Sequence, residues 1–261
     1  MYLIQPEDFQ RHILMDEDGQ FFATYNGYTF RSVFQPIFLS DIDLFAFEGL
    51  VRIKDENNEP VRPDLFFRSS ELSFFDTINL SLLCASIHLR NFAQSEHRAK
   101  KLFINASPSV FQILSHDERA ILALTNLLHY LGLSPEQVVY EIMEFDEGDM
   151  AEVFSGIKVL NRYGISIAMD DFGICASNKS RAKILLPDII KIDKSLLDDF
   201  VAHQSKSLEE SLSVCRQIGA KVILEGIETQ DQLDKISHLN IDMYQGFLLG
   251  RPLALEPQPA H

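Results

Sequence analysis

The chain has 261 residues, of which 46% are apolar and 23% charged, a composition that predicts one large folded domain and excludes a disordered chain. Its formal net charge of −15, from 38 acidic and 23 basic residues, predicts no binding to duplex DNA or to an anionic membrane surface. The three cysteines form no CxxC pair, which argues against a disulfide framework or a zinc–thiolate site and favours a cytoplasmic location.

Residues 1–30 are predicted to form an accessory segment. Asn26-Gly27 separates two aromatic runs and is typical of a two-residue hairpin turn, because both turn positions need a positive φ. The first eight residues contain neither a basic leader nor an apolar core, and so predict no signal peptide. No run of about 18 apolar residues occurs in the sequence, so no membrane-spanning segment is expected.

From about residue 33 onward, apolar runs of strand length alternate with amphipathic segments of helix length. The predicted strands are 33–39, 44–53, 101–106, 138–143, 165–170, 189–193, 221–225 and 242–247. An apolar stripe predicts a helix over 75–92. Three further helix starts are indicated by capping boxes, at 115–118, 207–210 and 229–232.

Eight strands alternating with helices predict a TIM-like (β/α)8 barrel over residues 31–256, followed by a tail over 257–261. The first two strands are too close in sequence for a helical crossover, so they are expected to pair antiparallel. An open doubly wound sheet is the alternative fold. No glycine fingerprint follows the first strand to support it.

Nearly every predicted strand has a polar residue near its carboxyl end. These residues are Glu48, Asn105, Glu141, Glu144, Asp170, Asp171, Lys191, Asp193, Glu225 and Gln245. A single acid after a strand is typical of a helix N-cap, but the strand ends of a barrel meet at one rim, where these residues would share a pocket.

Several carboxylates in one pocket need a cation to offset their repulsion, and oxygen ligands suit Mg²⁺ or Mn²⁺. The pattern predicts a metal-dependent barrel hydrolase, with enough carboxylates for the two ions that phosphoester cleavage uses. Lys191 would hold the attacking water or stabilise the charge of the transition state.

Eight short motifs occur in an order typical of one family. They are Gln35-Pro36-Ile37, Glu48-Gly49-Leu50-Val51-Arg52, Asn105-Ala106-Ser107-Pro108, Glu141-Ile142-Met143-Glu144, Asp170-Asp171-Phe172-Gly173, Lys191-Ile192-Asp193, Glu225-Gly226-Ile227-Glu228-Thr229 and Gln245-Gly246-Phe247. Between about residues 34 and 252 the chain thereby resembles the EAL-domain family of cyclic di-GMP phosphodiesterases. The resemblance implies hydrolysis of one phosphodiester bond of cyclic di-GMP to linear pGpG. It also implies two Mg²⁺ or Mn²⁺ ions per site, with Ca²⁺ inhibitory.

The resemblance assigns roles to the motif residues. The metal ligands would be Glu48, Asn105, Glu141, Asp170, Asp171 and Glu225. Asp170 would bridge the two ions, and Glu225 would bind directly or through water. Lys191 would position or activate the water, and Gln245 would orient a water held by a metal.

The remaining assignments concern the substrate and the loop after Asp171. Arg52 would contact a substrate phosphate, although an arginine after a strand can also be merely solvated at the rim. Gln35 and Asp193 would lie in the substrate pocket, and Glu144 would brace the loop. Gly49 stands where the family signature has alanine and removes only a methyl group, so it is expected to be tolerated.

The loop after Gly173 departs from the family pattern, because Ile174-Cys175-Ala176 stands where Thr-Gly-Tyr is usual. In the family this loop places the metals and links the site to the interface of a homodimer. The resemblance therefore does not fix the turnover rate of this chain, or whether its active site is coupled to the interface of the expected homodimer. A second function therefore remains: a catalytically weak or silent EAL module that binds cyclic di-GMP or a regulatory protein. An unrelated metal-dependent barrel acting on a sugar phosphate would require the motif order to be coincidental.

Overall fold

The computed structural model of the protein describes residues 3, 8–9, 11–142, 150–173, 178–203 and 205–258. The strands are β1 (Ile13–Met15), β2 (Phe21–Tyr25), β3 (Tyr28–Leu39), β4 (Leu44–Lys54), β5 (Pro60–Val61), β6 (Lys101–Ala106), β7 (Val138–Ile142), β8 (Ser166–Phe172), β9 (Ile189–Ile192), β10 (Lys221–Leu224) and β11 (Met243–Tyr244). The helices are α1 (Pro63–Phe67), α2 (Phe74–Ala93), α3 (Pro108–His116), α4 (Glu118–Leu131), α5 (Met150–Arg162), α6 (Asn178–Leu185), α7 (Lys194–His203), α8 (Ser207–Ile218) and α9 (Gln230–Ile236).

Eight of these strands close into a barrel. Their order is β3, β11, β10, β9, β8, β7, β6 and β4, and β4 pairs again with β3. The pairs from β4 through β11 are parallel, whereas β3 runs antiparallel to both of its neighbours. The predicted barrel with an antiparallel first pair is confirmed. The alternative open sheet is wrong, because the pairing of β3 with β4 leaves no barrel strand at an edge.

The barrel interior is filled by one apolar residue from each strand. This apolar layer consists of Ile37, Ala46, Phe103, Val139, Ala168, Ile189, Ile223 and Met243. All eight side chains are buried, and their contact closes the lumen as in a packed core. A site that reaches the barrel axis must therefore lie above this layer, toward the rim.

The N-terminal strands extend the sheet outside the barrel. β2 pairs antiparallel with β3, and the turn between them is formed by Asn26 and Gly27, with φ of 48° and 81°. These left-handed conformations explain the Asn-Gly pair, because asparagine and glycine adopt positive φ at low cost. The domain boundaries at residues 30/31 and 256/257 remain a prediction.

Two of the three predicted capping boxes are absent. Ser115 lies inside α3, and the N-cap of α4 is instead Asp117, whose side chain accepts a hydrogen bond from the backbone N–H of Arg119. Ser207 is already the first residue of α8, because Lys206 before it has helical φ and ψ of −78° and −4°. An N-cap requires a non-helical backbone, and neither serine has one. The box at Thr229 is present.

No helix in the described ranges is long and apolar enough to cross a membrane. Cys84 and Cys215 are free and buried, and burial raises the pKa of both thiols to about 12. They are consequently protonated at neutral pH and unreactive. Cys175 lies outside the described residues.

Candidate active site

A polar layer lies directly above the apolar layer. Successive side chains of a strand point to opposite faces, so a residue two positions from an inward-facing residue faces inward again. Two positions toward the rim from the apolar layer stand Gln35, Glu48, Asn105, Glu141, Asp170, Lys191, Glu225 and Gln245. Strand register therefore brings eight of the residues singled out from the sequence to one end of the barrel.

Lys191 occupies the centre of this layer. Its Nζ lies 2.9 Å from Glu225 Oε1, 3.0 Å from Glu141 Oε1, 3.2 Å from Asp170 Oδ1 and 3.3 Å from Glu48 Oε2. The lysine side chain is only 1% exposed, and that of Glu141 is fully buried. One ammonium group thus contacts four carboxylates, of which Glu48 and Glu141 are buried and Asp170 and Glu225 are partly exposed.

Two amide side chains orient Glu48. Asn105 Nδ2 donates to Glu48 Oε1 at 3.1 Å, and Gln245 Nε2 donates to Glu48 Oε2 at 2.8 Å. Hydrogen bonds to both oxygens fix the plane of the carboxylate and favour its charged form. Gln35 is the residue opposite Glu48 in β3, and its Nε2 donates to Gly250 O at 3.3 Å.

A β-bulge delivers two consecutive carboxylates to the site. The pairing of β8 with β9 shifts register between Met169 and Phe172, and Asp171 inside the bulge has a φ of +53°. In a regular strand Asp170 and Asp171 would point to opposite faces. The bulge breaks this alternation, and ligand oxygens of Asp170, Asp171 and Glu225 all lie within 4.8 Å of one another.

Burial and neighbouring charges shift the pKa values of the residues in this cluster. Burial, together with repulsion from Glu48, raises the pKa of Glu141 well above its ordinary value. Burial and the charge of Asp170 also raise the pKa of Glu225, to about 8, against the attraction of Lys191. Burial opposes the charge of Lys191 too, but the four carboxylates outweigh it and raise its pKa. For Glu48, attraction to Lys191 and the two amides overcome burial and lower the pKa.

The donor set fits hard divalent cations. Both oxygens of Glu141 and Oδ1 of Asp170 are buried and accept no hydrogen bond from the described residues, although Lys191 Nζ lies nearby. Buried carboxylate oxygens without donors are costly unless a cation contacts them. The surrounding ligands are all oxygen atoms, the chemistry that Mg²⁺ and Mn²⁺ prefer.

A cavity of about 260 Å³, here called the rim cavity, opens next to the polar layer. Among the residues that line it are Gln35, Glu48, Asp193, Glu225 and Gln245, all singled out from the sequence. Asp193 also contacts the start of α7, where its Oδ1 accepts a hydrogen bond from the backbone N–H of Ser195 at 2.8 Å.

The rim cavity also contains side chains that the sequence analysis did not assign to a site. Lys194 Nζ donates to Glu228 Oε1 at 2.7 Å, and both residues line the cavity. Phe247 lines it as well, with the guanidinium of Arg251 stacked 4.3 Å from its ring centroid. The sequence signal that could have found these three cavity residues is their position within three residues of a motif residue. Lys194 follows Asp193, Glu228 follows Glu225, and Phe247 follows Gln245.

One predicted residue, Arg52, lies away from this group. Arg52 is exposed near the end of β4 and does not line the rim cavity; its Nη1 donates to Val51 O at 3.2 Å. Within the described part of the chain it has no carboxylate partner. Glu144 and the diverged loop at Ile174-Cys175-Ala176 lie outside the described residues, so their predicted roles stay predictions.

A family comparison decides what this barrel is. The family model for the EAL domain matches residues 23–252. The chain belongs to the EAL domain family. The resemblance inferred from the ordered motifs is thereby confirmed.

Individual relatives in the EAL domain family are similar along most of this chain. A relative named cyclic di-GMP phosphodiesterase PdeF, from Escherichia coli, is 28% identical over 214 residues, which is 80% of this chain and 28% of PdeF. The chain spans less than a third of the length of the curated relatives it matches first.

Solved structures of EAL proteins show the same fold. A standalone EAL protein from Vibrio cholerae, bound to cyclic di-GMP, superposes with a TM-score of 0.75 at 21% identity, covering 91% of this chain and 97% of that one. BlrP1 from Klebsiella pneumoniae, in complex with manganese and cyclic di-GMP, has a TM-score of 0.70 at 25% identity, covering 85% of this chain and 55% of BlrP1.

Gly49, in the motif that resembles the EAL signature, packs closely against His88 of α2. A Cβ at Gly49 would lie 3.0 Å from Cγ of His88. His88 is buried, its Nδ1 lies 2.8 Å from Ser32 Oγ, and its ring packs edge-on against Phe34. Burial lowers the pKa of His88 to about 4, so the ring is neutral at pH 7. His88 therefore fills the space that an alanine methyl group would need.

We expect Gly49→Ala to cost about 1–2 kcal/mol of unfolding free energy, because the methyl group must displace a ring held on two sides. In a His88→Ala background the same change should cost close to nothing. Urea unfolding of the four proteins of this double-mutant cycle measures the coupling. An equal cost in both backgrounds would show that the two residues do not compete for space.

Proposed function

We propose that this EAL domain hydrolyses one phosphodiester bond of cyclic di-GMP to give linear pGpG. The observation that carries the proposal is the cluster of four carboxylates around the buried Lys191, one layer above the apolar layer. The relatives named as cyclic di-GMP phosphodiesterases and the neighbouring structures bound to cyclic di-GMP support the choice of substrate.

The charge of the cluster supports two divalent ions. Four carboxylates, from Glu48, Glu141, Asp170 and Glu225, surround the single ammonium of Lys191, so negative charge is in excess when all are ionised. Two Mg²⁺ or Mn²⁺ ions, held also by Asp171, would offset this excess. Asn105 would complete the ligand set that these carboxylates provide. Bound ions of this kind lower the pKa of water and stabilise negative charge on phosphate oxygens.

The protein side chains then have distinct tasks. Lys191, anchored among four carboxylates, would hold the attacking water and stabilise charge developing on the phosphate. Gln245 donates one amide hydrogen to Glu48, and its buried Oε1 accepts no hydrogen bond from the described residues, so it would orient a water there. Gln35 and Asp193, at the wall of the rim cavity, would contact the nucleotide.

The direct test is the conversion of cyclic di-GMP to pGpG, followed by chromatography, with Mg²⁺, Mn²⁺ or Ca²⁺ as the added ion. We expect turnover with Mg²⁺ or Mn²⁺ and none with Ca²⁺, which tolerates loose geometry and would hold the substrate without aligning it. Absence of product with every ion, in a protein that is folded, would refute the proposed activity.

Arg52 should act on substrate binding more than on chemistry. Its exposed guanidinium has no carboxylate partner among the described residues. Arg52 lies four residues after Glu48 along β4, on the same face of the strand, where it would meet a phosphate of the bound nucleotide. We expect Arg52→Ala to raise KM about tenfold with little change in kcat, the size expected for one charged hydrogen bond. Steady-state kinetics measures both constants. A fall in kcat at unchanged KM would contradict a binding role.

A second candidate function is a receptor for cyclic di-GMP with weak or no turnover, favoured by the sequence at Ile174-Cys175-Ala176. Binding of cyclic di-GMP in Ca²⁺ without hydrolysis in Mn²⁺ would establish it. Restoring Thr-Gly-Tyr at these positions would then raise turnover if the loop is limiting. A homodimer, a protein regulator and a cytoplasmic location remain part of this proposal, and so do the boundaries of a barrel domain over 31–256.

A further inference from the structure

A second cavity lies on the outside of the barrel. This cleft has a volume of about 770 Å³ and is lined by residues of α2, α3 and α4 and by Ile13 and Phe21 of β1 and β2. Leucines dominate its wall, including Leu82 and Leu89 of α2 and Leu124 and Leu127 of α4. Its size falls within the range of about 300–1,000 Å³ found for small-molecule sites, and its apolar lining is typical of them.

The cleft is separate from the candidate active site. Tyr140 of β7 lines it, whereas the next residue, Glu141, points into the barrel toward Lys191. One face of β7 thus lines the cleft, and the opposite face contributes Glu141 to the candidate active site.

Tyr140 places a hydroxyl group in this apolar wall. The residue is only 4% exposed, and within the described ranges no hydrogen bond satisfies its hydroxyl. Burial raises the pKa of this hydroxyl, so it stays protonated and acts as a donor. Because Tyr140 lines the cleft, its hydroxyl is free to donate a hydrogen bond to a ligand oxygen there.

Arg90 adds a positive charge at the same cleft. It is half-buried, its Nε lies 3.4 Å from Ser86 Oγ, and its guanidinium stands 5.5 Å from the ring centroid of Phe21. Among the residues that the structure describes it has no carboxylate partner. A guanidinium beside apolar side chains, without a carboxylate partner among the described residues, is complementary to a ligand that carries a negative charge.

We propose that this cleft binds a medium- or long-chain carboxylic acid. Its alkyl chain packs against the leucines of α2 and α4, and its oxygens accept hydrogen bonds from Arg90 and Tyr140. The ligand is a free acid with a single carboxylate, because Arg119, the other arginine that lines the cleft, is already paired with Asp117.

Calorimetric titration of the whole chain with decanoate, and with decanol as an uncharged match, tests the proposal. We expect decanoate to saturate one site per chain and decanol to bind at least about tenfold more weakly. Arg90→Met should weaken decanoate about tenfold and leave decanol unchanged, and Tyr140→Phe should weaken decanoate severalfold. Ala123→Trp should block both by filling the cleft.

Arg162→Met, on the exposed side of α5, is the matched control and should bind decanoate like the parent. Thermal melting of each variant separates a lost site from a lost fold. Equal affinity for the acid and the alcohol, or unchanged decanoate binding in Arg90→Met or Tyr140→Phe, would overturn the assignment. So would binding confined to phosphatidylglycerol vesicles, which would make the cleft a membrane contact.

Discussion

Replacing Lys191 with methionine should destabilise the metal-free protein by about 3–5 kcal/mol, because removing one partner of a buried charge cluster leaves the others uncompensated. The ammonium nitrogen lies 2.9–3.3 Å from oxygens of four carboxylates, and no other cation contacts them in the described part of the chain. A loss of this size is a large share of the 5–15 kcal/mol that stabilises a typical domain. Urea unfolding in the presence of a chelator measures it.

Divalent ions should reverse much of this loss. In the Lys191→Met variant the carboxylates keep their places on the strands, and Mn²⁺ or Mg²⁺ would supply the missing positive charge and bind the folded state selectively. The variant should therefore gain more stability from added Mn²⁺ than the parent does, while its hydrolytic activity stays lost.

Lys183→Met provides the matched control, because Lys183 is exposed on α6. We expect it to change stability by less than about 0.5 kcal/mol. If Lys191→Met were as stable as the parent in chelator, the ammonium of Lys191 would not be offsetting the charge of the carboxylates, and the charge-based argument for the ions would fall.

Much of the polar layer can be predicted from the sequence, because every second side chain of a strand points to the same face. Once the strand at Phe103 is known to point an apolar side chain inward, Asn105 must also point inward, and the same step leads from Val139 to Glu141. The strands were readable because they are continuous apolar runs, as expected when both faces are buried. The barrel and its rim were therefore predictable from local pattern alone.

What the sequence hides is set by tertiary contacts and local irregularity. The bulge that brings Asp171 beside Asp170 depends on the register of β9, which no local pattern encodes. Gly49 and His88 are distant in sequence and meet only because α2 packs against β4. The outer cleft is likewise a product of helix placement, so the unpartnered hydroxyl of Tyr140 has no signature in its own sequence neighbourhood.

Replacing Glu48 with alanine should abolish hydrolysis, with a loss of at least about 1,000-fold, because the change removes a proposed ligand to the ions. Removing a single hydrogen-bond donor to a reacting group typically costs about 10²–10³, and Glu48 also orders Asn105 and Gln245. Assays of pGpG formation measure the loss, and titration with Mn²⁺ should show weaker ion binding. Glu209→Ala, exposed on α8, is the matched control and should keep full activity.

The same variant should not lose stability in the way Lys191→Met does. Glu48→Ala takes one negative charge from a cluster with an excess of them, and Lys191 keeps three carboxylate neighbours. Relief of repulsion therefore offsets the cavity left by the side chain, and the metal-free variant should unfold within about 1 kcal/mol of the parent. Two substitutions in direct contact would thus both stop catalysis while moving stability differently. Retained hydrolysis in Glu48→Ala would remove Glu48 from the ligand set, and a loss of stability equal to that of Lys191→Met would mean that packing rather than charge holds the layer together.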